Sequence, residues 1–144
     1  MILYHGTSAL FDKFDLSFAV RDGMAGNGHL GVWLATDQDV AMSFGEYCLE
    51  VSANFSKTYS MDIGYLSRLN SECCKLYRDF SGGSLREAEF GFYRDVRERL
   101  VSAGYDSIAI REFGGEIRMY VALLPELLCI ECYSPDLSRA EPNL

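Results

Sequence analysis

The chain has 144 residues, 49% of them hydrophobic, a composition that supports one compact domain with a real core and excludes a disordered chain. Thirteen basic residues against 21 acidic ones leave a net charge of −8. This argues against nucleic acid as a partner, because a phosphate backbone needs clustered Lys and Arg. No basic n-region with an apolar stretch opens the chain, and no run reaches the length of a membrane span. The expectation is a cytoplasmic protein, or one delivered into a host cytoplasm without a cleaved signal, with no membrane contact.

In chain order, residues 1–5 read as a short buried strand. Residues 6–30 read as loop, broken by Gly23, Gly26 and Gly28, with Phe11, Phe14 and Phe18 pinning it to the body. Residues 31–36 form a second strand. Thr36 and Asp39 have capping-box spacing, with Asp in place of Glu, and predict a helix whose apolar face is Val40, Ala41 and Phe44. Tyr47 to Phe55 alternates as a strand should. Ile63, Leu66, Leu69, Cys73, Leu76 and Phe80 recur at helical spacing, and Ser81-Gly82-Gly83 ends that helix. Ser84-Leu85-Arg86-Glu87 is a capping box for the next one, which buries Leu85, Ala88, Phe92, Val96 and Leu100 and stops at Gly104.

Three strands follow, at 107–110, 117–124 and 127–133, the first two separated by Gly114-Gly115. The polar tail 134–144 lies beyond a single domain at 1–133. Strands and helices do not alternate, so the fold expected is α+β, with a mostly antiparallel, split sheet. An odd count of five cysteines argues against a disulfide framework. Cys129-Ile130-Glu131-Cys132 has CxxC spacing, but with no second CxxC or His pair it reads as strand cysteines, and no metal site is expected.

The residues that carry chemistry fall in three groups. Tyr4-His5-Gly6-Thr7 ends the first strand. Gly31-Val32-Trp33-Leu34-Ala35-Thr36 places a large aromatic in a strand of small residues, and Phe44 follows Trp33 by eleven positions. Gly104-Tyr105-Asp106-Ser107-Ile108 leads through a Gly-rich turn to Tyr120-Val121-Ala122-Leu123-Leu124. Taken singly, these are a capped strand end, a buried Trp and a closing strand. In this order and spacing the chain, from Tyr4 to Leu128, resembles the ADP-ribosyltransferase superfamily, in the poly(ADP-ribose) polymerase and diphtheria-toxin-like branch.

That resemblance implies an ADP-ribosyltransferase-like split sheet with flanking helices, and NAD as co-substrate. Cleavage of the bond between nicotinamide and ribose passes through a cationic, oxocarbenium-like sugar. The enzyme must hold a flat ring, fix the ribose hydroxyls and offset the developing charge with a carboxylate. By resemblance, His5 bonds a ribose hydroxyl, the Gly6 backbone brackets the carboxamide, and the Thr7 hydroxyl assists. Trp33 and Phe44 sandwich the nicotinamide, beside Tyr4. Both aromatics stand where the commoner pattern has Tyr, so stacking is kept and hydroxyl contacts are lost.

The family's catalytic Glu aligns with Met119, which carries no charge. Glu116, at the junction of turn and strand, is the favoured replacement, with Glu112 second. An ordinary solvated turn acid is the plain alternative for either. Arg118 and Arg111 flank the same turn, as diphosphate contacts or surface residues. Arg21 is the residue of the 8–30 loop best suited to contact a phosphate, with an ordinary solvated Arg as the favoured plain alternative. His29 is read as finishing a turn.

The resemblance implies a mono-ADP-ribosyltransferase that modifies a protein target, in the manner of bacterial or phage effectors. Polymer synthesis is not expected without the Glu that Met119 replaces. An inactive NAD-binding or protein-binding module of the same fold is the second reading. An RNA 2′-phosphotransferase-like enzyme is a third, disfavoured by the acidic balance. A direct protein-binding inhibitor is a fourth.

Overall fold

The computed structural model describes residues 1–16, 26–79 and 85–133. Strands β1 (Ile2–Thr7), β2 (Val32–Ala35), β3 (Tyr47–Ala53), β4 (Thr58–Asp62), β5 (Ser107–Arg111), β6 (Ile117–Ala122) and β7 (Leu128–Cys132) form one sheet in the order β4-β5-β6-β2-β1-β3-β7. The helices are α1 (Gln38–Met42), α2 (Ile63–Asp79) and α3 (Leu85–Ser102), with 3₁₀ turns at Gly26–Leu30 and Pro125–Leu127. This is the α+β, mostly antiparallel arrangement that the sequence predicts.

The main departures from the sequence reading each have a physical reason. β1 runs through His5, Gly6 and Thr7 instead of ending at His5, because β3 pairs with it continuously from Ile2↔Ser52 to Thr7↔Tyr47. Thr36 is not the cap of α1. Its N–H donates to the Arg118 carbonyl at 3.0 Å, tying it to β6, and Asp37 takes the cap by accepting the Asp39 N–H at 2.7 Å. β6 stops at Ala122, and Pro125 begins a 3₁₀ turn. Finally, β4 has no counterpart in the sequence reading. Thr58-Tyr59-Ser60-Met61-Asp62 is an edge strand with only Met61 buried, so it carries almost no hydrophobic signal.

β4 explains the placement of the two long helices. It pairs parallel to β5, from Thr58↔Ser107 to Asp62↔Arg111. Parallel neighbours need a crossover, and residues 63–102 supply it as α2 and α3. Their apolar faces bury Leu66, Leu69, Cys73 and Tyr93 against Met61, Ile108, Ile110 and Val121 of the sheet. α3 ends as Gly104 predicts. Gly104 has φ +95, its N–H donates to Val101 O at 2.9 Å, and the Tyr105 N–H reaches back to Leu100 O at 3.0 Å. The bounds expected at Phe80 to Ser84, and the tail from Ser134, lie outside the described residues, as do Phe18 and Arg21.

The Tyr93 hydroxyl donates to Asn70 Oδ1, joining α3 to α2 in a region where Tyr93 is 3% exposed. Burial holds the phenol well above its usual range, so it is a donor at every working pH. Tyr93→Phe keeps the packing and removes the hydroxyl's bonds to Asn70 and to the Cys73 thiol. The expected loss is about 1 kcal/mol, read as a lower urea midpoint with unchanged slope.

The second half of the core lies under the other strands. Leu3, Val32, Leu34, Leu49, Val51 and Ala122 pack together, and Phe14 covers them with Phe11 and Leu16 beside it. Phe11 and Phe14 thus pin the loop as expected. β1 and β2 sit at the middle of the sheet and pair only at Tyr4↔Ala35. The sheet is therefore split there, and the split is where a cavity opens. Among the described residues, no helix is long and apolar enough to cross a membrane.

Candidate functional site

A cavity of about 210 Å³ opens at this split, lined by His5, Gly6 and Thr7 from β1, Trp33 from β2, and Phe44 after α1. Phe11, Phe14, Asp15 and Leu16 form its other wall. Residues separated by almost forty positions thus meet because β1 and β2 diverge after one pair.

His5 is the best-defined group in it. Its Nδ1 lies 2.7 Å from the Trp33 carbonyl oxygen. A carbonyl only accepts, so Nδ1 carries the proton, and in the neutral ring Nε2 is left with a lone pair. Burial pushes the imidazole pKa below its ordinary value, and the Trp33 carbonyl partly opposes that. The ring is accordingly neutral near pH 7. Phe14 and Phe11 meet it edge-on, with ring centroids 5.1 and 6.0 Å away, and they meet each other at 5.0 Å. His5 is thus clamped on three sides and offers one acceptor.

The neighbours of His5 have structural roles of their own. Gly6 faces α1. A Cβ there would lie 1.8 Å from the Ala41 carbonyl oxygen. Helix packing alone therefore requires glycine at this position. The Thr7 hydroxyl is engaged in its own turn, donating to Ala9 O at 3.0 Å and accepting the Ala9 N–H at 3.2 Å. It shapes the rim where the chain leaves β1. Phe44 is 63% exposed at the mouth, while Trp33 borders both the cavity and the core beneath α2 and α3.

The other residues singled out from sequence lie elsewhere. Tyr4 and Met119 do not line the cavity. They pack with Ala35, Ala41 and Cys48 between the sheet and α1, since strand alternation turns Tyr4 to the face opposite His5. Glu112 lines a separate recess with Asp62, Arg68 and Phe113. Glu116 is solvent-exposed and pairs loosely with Arg118 at 3.7 Å. Arg111 forks onto Asp62, at 3.0 Å from Nε and 2.6 Å from Nη2. His29 finishes a 3₁₀ turn and stacks on Phe90 of α3, ring centroids 3.9 Å apart. Cys129 and Cys132 lie on β7. Arg21 lies outside the described residues.

Sequence reasoning missed the second wall as part of a site. The available signal was Phe11-x-x-Phe14-Asp15-Leu16 directly after His5-Gly6-Thr7. Apolar side chains in an otherwise polar loop must be buried against something, and the nearest surface is the strand just left.

The volume is below the ~300–1,000 Å³ of sites that engulf a drug-sized ligand. Its aromatic walls, neutral imidazole acceptor and a carboxylate at the edge suit a small flat ring that carries hydroxyl groups.

Three comparisons set this chain beside known proteins. A solved structure described as "Crystal structure of an anti-CRISPR protein" is similar at 17% identity, with 91% of this chain and 93% of that chain covered and a TM-score of 0.46. No protein of curated function matches the chain. A family model described as "ADP-Ribosyltransferase in polyvalent proteins" matches residues 1–127, which include both walls of the cavity and all of β6, and the chain belongs to that ADP-ribosyltransferase family.

Proposed function

We propose that this protein is an NAD-dependent mono-ADP-ribosyltransferase that releases nicotinamide and passes ADP-ribose to a side chain of a target protein. One observation carries the reading: His5, Trp33 and Phe44, which the family resemblance singles out, line one cavity. The state of His5 supports it further. With Nδ1 committed to the Trp33 carbonyl, Nε2 is positioned as an acceptor for a sugar hydroxyl. Trp33 and Phe44 offer aromatic surface to a flat ring. The acidic balance of the chain favours a basic protein surface over nucleic acid as target. The absence of a carboxylate at Met119 favours single transfers over polymer synthesis. A role as a bacterial or phage effector belongs to the same reading.

The test is transfer of labelled ADP-ribose from NAD into proteins of a bacterial lysate, with wild type beside His5→Ala, Glu112→Gln and Glu116→Gln. Label on a discrete band, reduced about 100-fold in His5→Ala, is the expected result. The two Glu variants show whether a carboxylate of the β5–β6 turn enters the site. A second reading, an inactive NAD-binding module, is favoured by Met119 and by the placement of Glu112 and Glu116 outside the cavity wall. It predicts NAD binding with no nicotinamide released.

A further inference from the structure

We infer that Asp15 supplies the carboxylate that offsets the cationic sugar in this site, an inference that rests on the transferase reading above. Among the described residues that line the cavity, Asp15 is the one acid. The turn acids expected from sequence are placed differently, Glu112 in another recess and Glu116 beside Arg118.

The position of Asp15 is set by its neighbours. Phe14 is 7% exposed and sits in the core with Leu3, Leu34 and Leu49, and Leu16 packs against the same cluster. Asp15 is therefore held between two anchored apolar residues. The Phe14 ring stands 5.1 Å from His5, which brings the Asp15 backbone to the wall that faces the imidazole. Asp15 also borders the neighbouring recess formed with Lys13, Pro125 and Glu126, so it stands at the cavity mouth. A carboxylate at an open mouth is screened by water, and a ligand that fills the cavity removes the screening as charge develops.

The step balances simply. The bond from ribose C1′ to the nicotinamide nitrogen breaks, and its electron pair leaves with nicotinamide. Positive charge spreads over C1′ and the ring oxygen, where the Asp15 carboxylate offsets it without forming a bond. The nucleophile of the acceptor bonds to C1′ and releases its proton to water. Asp15 thus acts on the transition state more than on the bound substrate, and its loss falls on kcat.

The experiment measures nicotinamide release and NAD binding side by side for wild type, Asp15→Asn, Asp15→Glu and Glu116→Gln. Binding is read from fluorescence of Trp33, the single Trp of the chain, which borders the cavity. The expected result is a kcat about 100-fold lower in Asp15→Asn, with Kd for NAD within about threefold of wild type. Asp15→Glu keeps most of the rate, and a Glu116→Gln rate that falls as far as that expected for Asp15→Asn overturns the inference in favour of the turn carboxylate. A kcat for Asp15→Asn within threefold of wild type overturns the inference, whatever happens to KM. A wild type that binds NAD and releases no nicotinamide, alone or with a lysate of acceptors, overturns the transferase reading and this inference with it.

Discussion

Gly6→Ala is expected to destabilise the protein by about 1–3 kcal/mol, the usual cost of forcing an extra methyl into a packed site. A Cβ at Gly6 would lie 1.8 Å from the Ala41 carbonyl oxygen, 2.8 Å from its carbon, and 3.2 Å from Phe44 Cβ. Two of these atoms are backbone, so no rotamer change relieves the contact. Either β1 or α1 must shift. β1 is paired with β3 along its whole length, whereas α1 has five residues and one side-chain cap from Asp37. α1 therefore yields, and Phe44 moves away from the cavity with it. Urea denaturation should show a lower midpoint at unchanged slope. NAD binding, on the reading proposed above, should weaken together with stability. Gly114→Ala serves as control. The nearest atom to a Cβ there is Glu116 Oε1 at 3.9 Å, and the change should stay within about 0.5 kcal/mol of wild type. Equal effects at the two positions would show that the close approach of α1 to β1 does not limit this site.

The second large effect is expected at Asp106, at the start of β5. Its Oδ2 accepts the Ser56 N–H at 2.7 Å and the Ser56 hydroxyl at 2.9 Å. Its Oδ1 accepts the Ser107 hydroxyl at 2.9 Å and the Lys57 N–H at 3.3 Å. The backbone is engaged as well. The Asp106 N–H donates to Lys57 O at 2.9 Å, and the Leu123 N–H donates to Asp106 O at 3.0 Å. One residue thus fastens the entry of edge strand β4 to β5 and to the segment after β6. Ser107 is fully buried, so deleting its acceptor leaves it the single bond with Thr58, at 2.8 Å. Asp106→Ala should cost about 2–4 kcal/mol, since hydrogen bonds to a charged group contribute about 1.5–3 kcal/mol each and do not simply add.

Asp106 also makes stability depend on pH. Burial by itself pushes the carboxyl pKa up, but the bonds from Ser56, Ser107 and Lys57 outweigh it and hold the pKa below the ordinary Asp value. A depressed native pKa gives stabilisation that is complete above the unfolded value, roughly 3.9, and is lost as pH falls through the native value. The difference between wild type and Asp106→Ala should therefore be constant near neutrality and narrow in acid below about pH 4. A difference that stays constant through that range would show that the carboxylate charge contributes nothing to the network.

How far the sequence carries can be argued from particular residues. The two long helices are legible because Ile63, Leu66, Leu69 and Cys73, and then Phe92, Val96 and Leu100, repeat at the helical period. The end of α3 is legible because Gly104 can adopt a positive φ at little cost. The two short motifs of the site are legible because their residue types and order are unusual together. β4 is not legible, because an edge strand that buries one side chain leaves no alternation to read. The roles within Tyr4-His5-Gly6-Thr7 are not legible either. Which of these residues face the cavity depends on the face that β1 turns to the 8–16 segment, and that follows from pairing with β3.

The same division holds for the protein as a whole. Local pattern alone determined an α+β chain of antiparallel strands and two amphipathic helices, and the order of its short motifs carried the resemblance to an ADP-ribosyltransferase family that the family model over residues 1–127 shows. These are properties of neighbouring residues, or of order along the chain. The tertiary structure alone decided what meets at the cavity. It put Phe11, Phe14 and Asp15 opposite Trp33, moved Tyr4 and Met119 to another face, and left Glu112 and Glu116 outside. The reason is that β1 and β2 pair at one position and then diverge. A gap between strands is set by the packing of both halves of the sheet, and no single segment of sequence encodes it.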